Sequence, residues 1–297
     1  MTLRIAMIGL GDIAKKAYLP VLGPRADVAL TFVTRDAATL AELGAAWRVD
    51  RLHTDLDAAL ADGLDAAFVH AATAAHPGIV RRLLEVGVPT MIDKPLADNA
   101  ADSEALVDLA ETRGVSLMVG FNRRHAPAYR DAAALGLPLV VMQKNRAGPL
   151  DEVRRAVFDD YIHVVDTLRF LAPGADQASV RGQVNDGRLK HVMLSLSGGG
   201  RDAIGIMNRA SGASEETLEV SGSGVKRRII DIDQVVELGA AEALNRRGNW
   251  TSVGRQRGFE DLCDTFLGAV RDGRRLSALD ALETHRLCET VVDALTA

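Results

Sequence analysis

Residues 3 to 14 read LRIAMIGLGDIA, a short apolar run that enters a glycine turn without an intervening polar loop. The run at residues 3–8 is rich in apolar side chains and bounded by glycine, which predicts a strand buried on both faces. Gly9-Leu10-Gly11-Asp12-Ile13-Ala14 then carries the GxGxxA spacing of a dinucleotide loop, between a strand and a helix as such a loop requires. In that context Gly9 permits the tight turn and Gly11 lets backbone approach a pyrophosphate. Ala14 lets the helix pack closely, and the amides of the helix start, from Asp12 and Ile13 to Ala14, face the anion.

The same alternation continues outward. Further strands are expected at 28–33, 65–70, 90–92 and 116–119, with helical patterns after each of the first four strands. Strand and helix in alternation build a parallel sheet covered on both faces, an α/β unit. Residues 120–135, GFNRRHAPAYRDAAAL, begin a helix that leaves it. Beyond Pro138 the texture changes: PLVVMQKNRAG reads as a strand, residues 156–172 as a helix, and 178–238 as several period-two runs split by glycines. Those runs predict an antiparallel sheet. Two closing helices, at about 256–272 and 278–295, place Phe259, Leu262, Phe266, Leu287 and Val291 at helical spacing. The second part is therefore α+β.

A chain of 297 residues has room for one large domain or two medium ones. Its 47% hydrophobic and 25% charged content is that of a globular enzyme. A net charge of −5 argues against nucleic acid or an anionic membrane surface as partner, and no run of about 18 apolar residues offers a membrane span. Cys263 and Cys288 have no CxxC partner and read as core residues of a reducing compartment. With no apolar leader visible, a cytoplasmic location is expected, and the sequon Asn249-Trp250-Thr251 is a chance match.

The end of the second strand discriminates between cofactors, because an acid there holds the ribose hydroxyls of NAD. Here Thr34 and Arg35 come first and Asp36 one step later. A hydroxyl and a guanidinium pair with a 2′-phosphate that an acid repels, so NADP is expected, with NAD as the alternative. On the other reading Arg35 is a solvated loop residue and Asp36 only caps the next helix.

Two further stretches carry polar groups where chemistry needs them. Residues 91–99, MIDKPLADN, end the strand expected at 90–92 on Asp93-Lys94-Pro95, and strand ends of a parallel sheet face the ligand crevice. Residues 158–170, FDDYIHVVDTLRF, set Asp159, His163 and Asp166 at steps of four and three on an otherwise apolar helix. At about 100° per residue these fall within one stripe. A structural role, in which a carboxylate tethers a helical histidine, is the bland alternative.

Taken together, GLGDIA, the stretch HPGIVRRLLEVGVPTMIDKPLADN, GFNRRHAPAYR and DDYIHVVDTLRF resemble the Gfo/Idh/MocA oxidoreductases, in that family's order, and most of all its MviM-type branch. The resemblance implies a Rossmann domain over residues 1–121. It implies a second, α+β domain over 122–297, with a large open, mainly antiparallel sheet that binds substrate and often dimerises. It implies that Lys94 is the lysine that positions the reacting oxygen beside the cofactor. His163 is then the proton acid/base, and Asp159 holds substrate or histidine. His76 matches a histidine often placed near the cofactor, and Thr73 would contact the ribose; helix capping is the alternative for both.

Tyr161 stands where the family commonly has a small residue, so Asp159 and Tyr161 are expected to shape the substrate pocket. Arg123, Lys144 and Arg146 would suit an anionic, sugar-like substrate, against a reading as salt-bridging residues. Metal coordination by Asp159, His163 and Asp166 is discounted, because a cation would compete with Lys94 for the same space. The expected activity is transfer of hydride between NADP or NAD and a carbohydrate-like hydroxyl or carbonyl. Two alternatives stand beside it: a glycosidase using tightly bound NAD, and a non-catalytic sensor of the cofactor.

Overall fold

In the computed structural model, which describes residues 2–239, 241–246 and 248–297, Leu3–Ile8 forms β1 with every residue but Arg4 buried. The strands Val28–Val33 (β2), Arg51–His53 (β3), Ala66–Val69 (β4), Thr90–Asp93 (β5) and Leu117–Gly120 (β6) join it in a parallel sheet of order β3-β2-β1-β4-β5-β6. The chain runs outward from β1 to β3, then returns past β1 to β4. That reversal makes the gap between β1 and β4 the switch point, where the two crossovers diverge and leave a crevice at the strand ends. Two hydrogen bonds fix the crevice floor: the Gly9 amide donates to Val33 O at 2.8 Å and the His70 amide to Ile8 O at 2.7 Å.

The crossover helices start where their sequences supply a cap. Asp36 caps Ala37–Trp47 (helix α2, counting Leu19–Leu22 as α1), Asp55 caps Leu56–Ala61 (α3), and Asn99 caps Ala100–Arg113 (α5). His76–Glu85 (α4) instead carries proline in its first turn. Before α1 the chain makes a π-helical turn, Ala14–Tyr18, closed by the Leu19 amide on Ala14 O. Pro20 has no amide to offer the ordinary ladder, and the wider turn accommodates that loss.

The contact pattern divides the chain into two units, the first running to Gly120 and including Phe259–Leu282, the second Phe121–Gly258 with Glu283–Ala297. Phe259–Arg271 closes the core of the first unit: Phe259, Leu262, Cys263, Phe266 and Leu267 lie on one face and join Tyr18, Phe32 and Phe68. Each such side chain contributes roughly 1.5–3 kcal/mol on burial.

The second unit holds an eight-stranded sheet: Leu139–Asn145 (β7), Gln177–Asn185 (β8), Arg188–Gly198 (β9), Arg201–Asn208 (β10), Glu215–Gly222 (β11), Val225–Ile230 (β12), Gln234–Leu238 (β13) and Glu242–Arg246 (β14). The order is β14-β13-β12-β11-β7-β10-β9-β8, antiparallel except where β7 and β10 run parallel. The fold is thus a Rossmann-type parallel sheet plus an α+β unit with a mainly antiparallel sheet, as expected from the sequence.

The second unit also holds Pro127–Ala134 (α6), Val153–Ala156 (α7), Ile162–Leu171 (α8), Val253–Gln256 (α9, before Phe259–Arg271, α10) and the later turns of Leu279–Thr296 (α11); α8 packs on β7 and β10, α6 on β12 and α7 on β9. Gly205 on β10 shows how close α8 lies, since a Cβ there would meet Val164 Cγ1 at 2.5 Å and Leu168 Cδ1 at 2.8 Å. Cys263 and Cys288 are buried free thiols, and among the described residues no helix is long and apolar enough to cross a membrane.

Candidate functional site

A cavity of about 660 Å³ opens at the carboxyl ends of β1, β2 and β4, lined by Gly9, Gly11, Thr34 and Arg35 among others. Gly9 has φ +84°, and a Cβ there would lie 2.5 Å from the Ala71 amide nitrogen, so only glycine lets the two strand ends converge. At Gly11 a Cβ would meet nothing within 4 Å, which leaves open exactly the kind of space a phosphate needs beside the backbone.

 Ala14 is fully buried and lets the helix approach. These features fit a dinucleotide pyrophosphate.

The remaining loop residues divide. Asp12 is exposed and accepts from Lys16 at 2.7 Å, a bond that lowers its pKa, and Ile13 is exposed as well. Asp36 does cap α2: Oδ1 accepts from the amides of Ala38 and Thr39, and Oδ2 from the Thr39 hydroxyl. The Thr39 amide is the main reason its carboxyl lies below the ordinary range. Arg35 lies on the cavity wall beside it.

Thr73 and His76 are not among the side chains lining this cavity. Thr73 opens a short 3₁₀ turn, Thr73–Ala75. His76 is buried, with its ring nitrogens 2.8 Å from Pro95 O and 2.8 Å from Ala71 O. It thereby ties the end of β4 to the segment that follows Lys94, a scaffold role that the spacing alone did not reveal. Lys94 itself is half-buried at the end of β5 and precedes a cis peptide to Pro95. Its neighbour Asp93 accepts from the Tyr18 hydroxyl at 2.8 Å, and burial pushes the Asp93 carboxyl above its usual value.

Sequence reasoning missed Tyr18 and His70. The two rings lie tilted at 44° with centroids 4.1 Å apart, and His70 also borders the cavity. His70 ends a strand of the parallel sheet, a position that could have marked it; nothing in the spacing around Tyr18 does so.

In the second unit the helix carrying Asp159 and His163 is not regular. Val157–Tyr161 forms a π-helical turn, in which the Ile162 amide reaches back to Val157 O. The wider turn ends at Tyr161, and Ile162–Leu171 resumes the ordinary α-helical spacing through His163 and Asp166. Asp159 is exposed and 3.5 Å from Arg155 Nε, His163 is half-buried, and Asp166 is buried. Arg124 donates to both Asp166 oxygens and the Thr284 hydroxyl donates at 3.1 Å, so Asp166 belongs to the packing of α8. Of the three, Asp166 is the one that burial sets apart.

Tyr161 is fully buried and its hydroxyl donates to Gly205 O at 2.7 Å, anchoring the helix to β10 with no surface left for a substrate. Arg123, Lys144 and Arg146 belong to one ionic network, buried at Arg123 and Lys144 and half-exposed at Arg146. Arg123 Nε donates to Glu216 at 2.8 Å, Lys144 Nζ lies 3.1 Å from Glu216 and 3.3 Å from Asp160, and Arg146 Nε donates to Asp160 at 2.6 Å. Arg209 pairs with Asp160 and with Asp151, and Tyr129 donates to Glu216. Burial lowers the Lys144 ammonium; burial is also the largest single influence on Glu216 and opposes its ionisation, but Arg123, Lys144 and Tyr129 together outweigh it and hold that carboxyl low.

The comparisons with known proteins cover both units. A family model described as oxidoreductase family, NAD-binding Rossmann fold, matches residues 3–121, and one described as YceM-like, C-terminal domain, matches residues 127–239. The chain is 34% identical to the oxidoreductase YceM of Salmonella typhimurium, over 99% of this chain and 97% of that protein. It is 37% identical to the myo-inositol dehydrogenase Hyg17 of Streptomyces leeuwenhoekii, over 82% of this chain and 75% of that one. The crystal structure of the dehydrogenase MviM from Clostridium difficile superposes with a TM-score of 0.94 at 28% identity, covering 99% of this chain and 100% of the other.

Proposed function

The chain belongs to the Gfo/Idh/MocA oxidoreductase family, and on that premise we propose that it moves hydride between NADP and an uncharged polyol or keto sugar. The observation that carries the reading is the cavity at the switch point, where Gly9 and Gly11 leave room for a pyrophosphate and Arg35 lies at the end of β2. Similarity to a myo-inositol dehydrogenase supports a carbohydrate-like substrate. The pairing of Arg123, Lys144 and Arg146 with Glu216 and Asp160 supports an uncharged one, because their charge is already met.

When bound, the nicotinamide supplies the acceptor or donor of two electrons and one hydrogen. The remaining work falls to side chains. Lys94 donates a hydrogen bond to the reacting oxygen and favours the geometry in which that oxygen carries negative charge. His163 takes the hydroxyl proton during oxidation and returns it during reduction, a task suited to an imidazole. Asp159 supports His163 or the substrate.

Replacing His163 by Asn tests this assignment. Turnover of a polyol should fall by roughly a hundredfold or more, with cofactor affinity unchanged. Turnover equal to that of the wild type would remove His163 from the mechanism.

A further inference from the structure

The cavity of the first unit is lined by two acids and two cations whose engagements differ. Asp36 spends both oxygens on the cap of α2, and Asp55 accepts from the Ala58 amide at 2.9 Å to cap α3. Of the adjacent lysines, Lys16 donates to Asp12 at 2.7 Å, whereas Lys15 lies on the cavity wall. Among the described residues neither Lys15 nor Arg35 has an ion-pair or hydrogen-bonding partner for its side chain. The acids of this wall are thus committed to the fold, and its cations are not.

The placement of Lys15 follows from the sheet. It lies one turn beyond Gly11, whose carbonyl accepts from the Lys15 amide at 3.0 Å, on the helix that follows β1. Arg35 follows β2, and β1 and β2 are adjacent strands. The two side chains therefore approach the cavity from neighbouring strand ends. Lys15 and Arg35 line the same cavity, with Asp36 and Thr39 beside them. The carboxylates of Asp36 and Asp55 line the same cavity but form no ion pair with either cation; an anion bound there could pair with both, and a bare ribose hydroxyl could not.

We infer that Lys15 is a specificity-determining residue that, together with Arg35, binds a phosphomonoester on the adenosine ribose, the 2′-phosphate of NADP. The inference rests on the NADP reading above and adds the second cation to it. An ammonium serves here as a point charge beside the forked guanidinium of Arg35, so the two cations share the phosphate oxygens between them.

The test is a fluorescence titration of cofactor-stripped wild type and Lys15→Gln with NADPH and NADH, with adenosine 2′,5′-bisphosphate and 5′-AMP as competitors. Lys15 is exposed, and its side chain has no partner to lose, so the variant is expected to fold. Lys15→Gln should weaken NADPH and the bisphosphate by about tenfold, the range for a hydrogen bond to a charged group, and leave NADH and 5′-AMP unchanged. Lys15→Arg should restore most of the loss. Equal weakening of NADPH and NADH would place Lys15 on the pyrophosphate, and an unchanged NADPH affinity would place it on neither; both results overturn the inference while a wild-type preference for NADPH stands. A wild type that prefers NADH overturns the NADP reading itself.

Discussion

His70 closes β4 with a ring that is 4% exposed and whose two nitrogens meet no partner among the described residues. Burial, with a smaller contribution from the charge of His76, lowers its pKa from 6.5 to about 3. In the unfolded chain the ring takes up a proton near 6.5, in the folded chain only near 3, so the unfolded state binds more protons between those values. Stability therefore falls as the pH falls through that window. His70→Phe keeps a ring against Tyr18 and removes the titration. Between pH 7 and pH 4 its stability relative to wild type should rise by roughly 3 kcal/mol, read by urea unfolding at both values. Parallel losses in the two proteins would show that His70 is protonated in the folded state at little cost.

At the scale of elements, the passage from α9 to α10 turns on Gly258. Its φ is +81°, and a Cβ there would lie 2.3 Å from Asn122 O and 2.4 Å from the Ala126 amide nitrogen, both backbone atoms. Gly187, between β8 and β9, has φ +72° but open space around it. Gly187→Ala should therefore cost only the left-handed backbone penalty, about 1–2 kcal/mol. Gly258→Ala adds a backbone clash and should exceed it by at least about 1–3 kcal/mol, measured by denaturant unfolding. Equal costs would mean that the Asn122 turn shifts freely.

Such close approaches were not legible in the sequence, because they join segments more than a hundred residues apart. What was legible was local: β1 and β2 end where their apolar runs end, and the GxGxxA spacing marked the turn between β1 and its helix. The three-residue edge strand β3 was too short to show a period. The π-turn at Val157–Tyr161 was not legible either, since helical periodicity assumes that every turn has the same width.

For the whole molecule, the order of strand types predicted a parallel sheet followed by a mainly antiparallel one, and both are present. Periodicity also identified the apolar face of α10 but could not say which sheet it covers; the answer, the first, depends on contacts with Phe68 and Tyr18 on distant elements. The same limit applies to charge. Arg123 and Lys144 read as ligands for an anion because their partner, Glu216, lies on β11, more than seventy residues away, and pairing at that distance leaves no trace in spacing.

The central claim, an oxidoreductase that exchanges its cofactor with solution, is tested most directly by mixing the purified protein with NADP⁺ or NAD⁺ and a panel of uncharged polyols while following nicotinamide absorbance. The account predicts substrate-dependent, net formation of reduced cofactor, faster with NADP⁺. A cofactor that stays bound through purification, with substrate consumed and no net change in absorbance, would contradict it and point to a glycosidase that oxidises its substrate only transiently.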